Sequence, residues 1–377
     1  MVRHLYLHVP FCPSICPYCD FHKMLRHEGL VARYLDRLES EAAQVAELYG
    51  GTALDTVYLG GGTPSHLTDP ELERVFALLE RHWGGVGKLE TTLEADPLTF
   101  DAQRLQRWRE LGVDRLSIGL QSTDDAVLKY LGRLHDSQQG LAAVAMAIDA
   151  GFRVNVDVIA AVPGQDLASE LSRVIGTGAK HVSVYSLTIE PHTPFALRGI
   201  RVDPEQDADS FELAGELLAA AGLKRYEVSN YAVPGEESRH NLAYWRGSHY
   251  LALGPAASAF LPEAKAFGTR TKNPPLKTWL LGAAPERDVL DSDGYVLERL
   301  LTGLRTAEGV DLTELERAVG TDLAEIAPGW LESMRKGGML ETAPSRSERG
   351  PSTTLRATAA GLARLDGVML AFVRAQR

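Results

Sequence analysis

Residues 6–22 read YLHVPFCPSICPYCDFH, and this stretch holds every cysteine of a 377-residue chain: Cys12, Cys16 and Cys19. An odd number of thiols spaced C-x3-C-x2-C cannot build a disulfide framework, and the segment lacks the apolar core of a secretory signal. Metal ligation is the reading this spacing favours, and two forms of it stay open. Three thiolates on one loop can hold a [4Fe–4S] cubane and leave one iron without a protein ligand. Alternatively, His22 or His8 could complete a closed four-ligand zinc site.

The loop follows a β-rich run, HLYLHV (4–9), and five more such runs appear downstream: DTVYLGG (55–61), LETTLEA (89–95), DRLSIGL (114–120), RVNVDVIA (153–160) and HVSVYSL (181–187). Between them lie segments such as LVARYLDRLESEAAQVAELYG and PELERVFALLERHW, whose apolar residues recur at three and four positions. Alternation of this kind predicts a parallel α/β architecture of six strand–helix units. Polar motifs after nearly every strand favour a partial (β/α)6 barrel over an open doubly wound sheet, because in a barrel the βα ends share one mouth.

Regular alternation fades after position 187, and residues 188–270 read as a covering segment on a barrel domain that spans 1–270. Residues 271–288, rich in Pro and Gly, read as a linker. The tail from 289 to 377 shows helical runs at 293–305, 312–319 and 322–336, a β-pair and a last helix, the order of a small winged-helix-like domain. Its acidic residues outnumber its basic ones, and the whole chain carries a formal charge of −11, so a nucleic-acid partner is not expected. With 45% hydrophobic and 24% charged residues and no apolar run of about 18, the composition predicts a cytoplasmic protein with no integral membrane segment.

A glycine triplet in YLGGGTP (58–64) directly follows the second strand, where backbone can approach a ligand that a Cβ would push away. CxxxCxxC after the first strand and GGGTP after the second together resemble the radical S-adenosylmethionine (SAM) superfamily. Further motifs, YLHVPFC, LEADP, SIGLQS, VPGQ, YSLTIEPHTPF, YEVSNYA and HNLAYW, resemble its HemN/HemW group of coproporphyrinogen III dehydrogenases and haem chaperones.

The resemblance implies that Cys12, Cys16 and Cys19 hold a [4Fe–4S] cluster whose open iron takes the amino and carboxylate groups of SAM. It makes Tyr6, Gly61, Gly62 and Thr63 contacts near the methionyl end of SAM. Glu94, Gln121, Arg133 and Asp157 would complete the pocket, Arg133 by pairing with the SAM carboxylate, and Ser186 is a weaker carry-over. It also implies a reductant protein such as flavodoxin or ferredoxin. Dehydrogenases of the group usually carry a fourth cysteine, C-x3-C-x2-C-x-C, and an N-terminal extension. Here Phe21 stands in the place of that cysteine and eleven residues precede Cys12. The resemblance therefore leans toward the haem chaperones, which bind haem and deliver it to acceptor proteins, with oxygen-independent coproporphyrinogen III dehydrogenase as the alternative. In HNLAYW, His240 becomes the expected axial ligand of haem iron, against the plainer reading of a buried structural histidine. Two motifs depart from the group's pattern. AAVPGQ (160–165) replaces YGLPGQ, and LALGPAASAF has Ala256 and Ser258 where GxGPGAHS has Gly and His.

Overall fold

A computed structural model describes residues 2–50, 53–84, 90–347 and 350–376. Six strands alternate with helices as the periodicity predicts: β1 (His4–Val9), α1 (Glu28–Tyr49), β2 (Thr56–Gly61), α2 (Asp69–Trp83), β3 (Glu90–Ala95), α3 (Ala102–Glu110), β4 (Arg115–Gln121), α4 (Ser137–Asp149), β5 (Arg153–Ala160), α5 (Leu167–Gly176) and β6 (His181–Ser186). Leu89, the first residue of the expected third strand, lies outside the described residues. Each of the six strands pairs in parallel with its neighbour in sequence order, β1 to β6.

The period of two in each strand sorts its residues onto two faces. Leu5, Leu7, Val57, Leu59, Leu93, Leu116, Ile118, Val154, Val156 and Val182 pack into the main core with the helices. Each such Leu, Ile or Val contributes roughly 1.5–3 kcal/mol by leaving water. The intervening positions are polar, and hydrogen bonds link Ser117, Asn155, Asp157 and Ser183 from three successive strands. A curled sheet with an apolar outer face and a polar concave face is the partial barrel the sequence predicts.

The covering segment extends this sheet. After α6 (Pro204–Ala220), β7 (Asn230–Ala232) pairs antiparallel with β6. Helix α7 (Arg239–Trp245) leads to β8 (Leu251–Leu253), which pairs parallel with β1. The expected linker, 271–288, is structured. Strands β9 (Ser258–Leu261), β10 (Thr269–Lys272) and β11 (Glu286–Val289) form a second, antiparallel sheet. Leu276 and Trp279, between β10 and β11, belong to the main core, and Trp279 Nε1 donates to buried Glu41 (3.0 Å). Pro and Gly mark turns in this stretch, and the apolar residues between them anchor it.

The C-terminal part has its own core, around Leu300, Trp330, Leu355 and Phe372. It contains α8 (Ser292–Gly303), α9 (Leu312–Val319), α10 (Trp330–Lys336), a hairpin of β12 (Leu340–Ser347) and β13 (Gly350–Ala357), and α11 (Leu365–Ala375). The expected helix 322–336 breaks in two at Ala327-Pro328-Gly329. Proline excludes its predecessor from the α region, and Ala327 has φ −136° and ψ 79°. This part is joined to the barrel by Arg246–Glu308 (2.5 Å) and by the Ala307 N–H, which donates to the Tyr226 carbonyl (3.0 Å). No helix among the described residues is long and apolar enough to cross a membrane.

Candidate functional site

At the C-terminal ends of β1 to β6 lies a cavity of about 440 Å³, wide enough for a cofactor of SAM size. Its walls include Cys12, Cys16 and Cys19, Gly61 to Thr63, Glu94, Gln121, Arg133, Asp157 and Ser186. These come from every strand of the barrel, so the topology gathers what the sequence spreads over 175 positions. Tyr6 is not in the wall. It stacks behind Tyr58 (centroids 6.1 Å apart), and its hydroxyl is hydrogen-bonded to His8 Nδ1 (3.0 Å).

The cysteine loop follows β1, and its three cysteines line the cavity. Arg133 Nη1 donates to Cys16 Sγ (3.6 Å), Lys23 Nζ donates to the Cys19 carbonyl, and the Thr63 N–H donates to the Phe11 carbonyl (2.9 Å) beside Cys12. Burial pushes the Cys12 thiol up to about 11 and also raises Cys19, so the protein alone does not favour three thiolates. Three sulfurs with donors around them fit an anionic iron–sulfur cluster, whose positive irons would hold them ionised. Of the two histidines considered for a zinc site, His8 has both ring nitrogens taken and His22 has one. His22 Nε2 accepts the Leu276 N–H (3.0 Å), and His8 bonds Tyr6 and the His22 carbonyl through its two nitrogens.

The glycine triplet admits protein atoms first. A Cβ on Gly60 would meet Glu94 Oε1 at 2.9 Å, and one on Gly61, at φ +115°, would meet the His8 ring at 2.5 Å. On Gly62 it would lie 3.0 Å from Cys12 Sγ and 2.9 Å from the Pro10 carbonyl carbon. Besides the room the triplet leaves for a ligand, Gly62, just past β2, is where the chain passes close to the cysteine loop.

Glu94 accepts hydrogen bonds from the Tyr58 hydroxyl and the Gly61 N–H, both at 2.9 Å. Burial, with the Asp157 charge adding to it, raises its carboxyl to about 7. Asp157 accepts from Ser117 Oγ (2.9 Å) and Asn155 Nδ2 (2.8 Å), yet burial still lifts it to about 6. Gln121 sits at φ +66° beside an irregularity in the β4–β5 pairing, and this bend turns its side chain to the cavity. A left-handed residue other than glycine costs on the order of 1 kcal/mol, and such strain is concentrated at functional sites. Ala161 (φ +59°) and Ala256 (φ +56°), the alanines at glycine positions of the group's motifs, keep the left-handed backbone too.

His240 is sealed in the barrel floor. It is 0% exposed; Nδ1 is hydrogen-bonded to Thr56 Oγ1 (2.6 Å), Nε2 to Tyr244 Oη (2.7 Å), and the ring stacks on Tyr58 (5.2 Å). Burial depresses it to about 3, so it is neutral. Both nitrogens are bonded to protein in this packing, the arrangement of the plainer reading, a structural histidine. Sequence reasoning missed Tyr18, Lys23, Tyr58, Asp96 and Tyr185, all in the cavity wall. Asp96 lies in the LEADP motif two residues after Glu94, and Tyr58 and Tyr185 occupy inward positions of their strands, the signal that could have found them.

Comparison with known proteins agrees with this geometry. Residues 6–171 match the radical SAM superfamily and residues 290–346 match the HemN C-terminal domain. The chain is 32% identical to the heme chaperone HemW of Bacillus subtilis over 91% of its own length and 94% of the relative's. It is 34% identical to that of Escherichia coli, over 90% and 92%, and 35% to that of Synechocystis, over 85% and 82%. Among solved structures, coproporphyrinogen III oxidase (HemN) from Escherichia coli superposes with a TM-score of 0.83 at 23% identity, over 98% of this chain and 90% of that one. This last likeness concerns the fold.

Proposed function

The chain belongs to the HemW family of radical SAM proteins, and from that premise we propose that it is a haem chaperone, binding haem and passing it to acceptor proteins. Its near full-length likeness to heme chaperones carries the reading. In the proposed site, Cys12, Cys16 and Cys19 hold a [4Fe–4S] cluster beside SAM. When bound, the cluster supplies one-electron chemistry and an open iron for the amino and carboxylate groups of SAM.

The protein's own residues bind and orient. Backbone at Gly61, Gly62 and Thr63 borders the methionyl end. Glu94, held by Tyr58 and Gly61, presents a carboxyl for the SAM amino group, while Asp157 and Gln121 take hydroxyl and adenine-side polar groups, with Ser186 at the rim. Arg133 closes the carboxylate side. Tyr6 supports Tyr58 from behind. A reductant protein such as flavodoxin or ferredoxin would deliver electrons. Phe21, 67% exposed in the cavity wall, gives the site an apolar face where the dehydrogenases carry a fourth cysteine.

The test is to supply haem to the anaerobically reconstituted chain and, separately, coproporphyrinogen III with SAM and a reductant. A haem absorption band with no decarboxylated product is expected. Product accumulating over many turnovers would replace the chaperone reading with the dehydrogenase.

A further inference from the structure

Arg133 is held in an unusual way for a residue expected only to clamp a ligand. Its Nη2 donates to Asp96 Oδ2 (2.5 Å) and to the Gly119 carbonyl (3.0 Å), and its Nη1 donates to Cys16 Sγ (3.6 Å). The guanidinium side chain is 12% exposed and Asp96 15%. Arg133 Nε is buried without a partner among the described residues. An unpaired buried donor costs stability, so packing alone does not explain the residue's place. Before any ligand arrives, the fork is already committed: one arm to β3 and β4, the other to a cysteine sulfur.

Hydrogen bonds and positive charge at cluster sulfurs favour the reduced, more negative state and so raise the reduction potential. We propose that Arg133 sets the potential of the cluster through Cys16, and that Asp96 is the positioning residue that holds the guanidinium against the sulfur and offsets part of its charge. The inference rests on the cluster reading above. It concerns the protein without SAM, where a carboxylate clamp has nothing to hold.

The experiment is a redox titration of the anaerobically reconstituted, SAM-free full chain, followed by electron paramagnetic resonance of the reduced cluster, with SAM affinity measured in parallel. Arg133→Gln removes the cation, and its midpoint should move to more negative potential. Asp96→Asn keeps an oxygen acceptor for Nη2 while removing the anion, so its midpoint should move the other way. An unchanged midpoint in Arg133→Gln, with only SAM affinity lost, would reduce Arg133 to a ligand clamp and overturn the proposal. If Arg133→Gln takes up no cluster, Asp96→Asn decides: a positive shift supports the proposal, and an unchanged midpoint or a negative shift overturns it. A wild-type chain that takes up no cluster would remove the cluster reading itself, a result distinct from a loaded cluster with an indifferent midpoint.

Discussion

Replacing His240 by Ala separates a structural histidine from a haem ligand. The ring is fully buried, bonded at both nitrogens to Thr56 and Tyr244, and packed against Tyr58 and edge-on to Tyr244 (4.7 Å). Truncating a buried aromatic ring costs about 3–5 kcal/mol. Each hydroxyl left without its partner adds about 1 kcal/mol, less where the floor relaxes, because contacting groups are not additive. The expected loss is therefore about 5 kcal/mol, the low end of that sum, which at about 2–4 °C per kcal/mol for a large domain lowers Tm by roughly 10–20 °C. Thermal unfolding by circular dichroism reads this, and a haem titration well below the lowered Tm reads the ligand. Haem should bind the folded variant with an unchanged absorption band. A variant that melts with the wild type yet loses the haem band would refute the argument, since the ring would then be facing iron and not Thr56.

Replacing any one of Cys12, Cys16 and Cys19 by Ala should bleach the cluster, and iron and sulfide analysis of the wild type should give about four irons per chain; stoichiometric zinc without labile sulfide would reject it. Gly62→Ala should impair both SAM binding and cluster uptake, because its Cβ would press on Cys12 Sγ and Pro10; overpacking of this kind costs about 1–3 kcal/mol, and a variant with a full cluster complement would contradict the contact. Ala256→Gly should stabilise the chain by about 1 kcal/mol in denaturant titration, by relieving a left-handed alanine. The unloaded chain should be most stable near pH 6. His8 (to about 4) and His240 (to about 3) are depressed, so their contribution is present above about 6.5 and lost as pH falls toward those values. Glu94 (to about 7) and Asp157 (to about 6) are raised, so theirs is present below about 4 and lost as pH climbs through those values. Each group contributes about 1.4 kcal/mol per pH unit across its window, and a Tm that rises steadily from pH 5 to 8 would show these burials to be wrong.

The six strands and their helices were legible because periodicity is a local property: β-rich runs and three-and-four spacing appear in any window of a dozen residues. The cysteine loop was legible for the same reason, as three thiols within eight positions announce themselves. Glu94, Gln121, Arg133 and Asp157 could be named because the motifs around them resemble those of the radical SAM group, and parallel strands of a barrel deliver such motifs to one mouth. What the sequence could not decide depends on contacts between distant segments. That a Cβ on Gly62 would press to 3.0 Å from Cys12 Sγ depends on how β2 and the cysteine loop are brought together. The 271–288 stretch reads as a linker until Trp279 is found bonded to Glu41, 238 positions earlier. Thr56 on one nitrogen of His240, and Asp96 and Cys16 on the Arg133 fork, are partners that neither residue's own segment names. Whether a polar side chain faces a cavity or a partner is set by which strands lie side by side, and pairing across 37 or 184 residues leaves no trace in either segment alone.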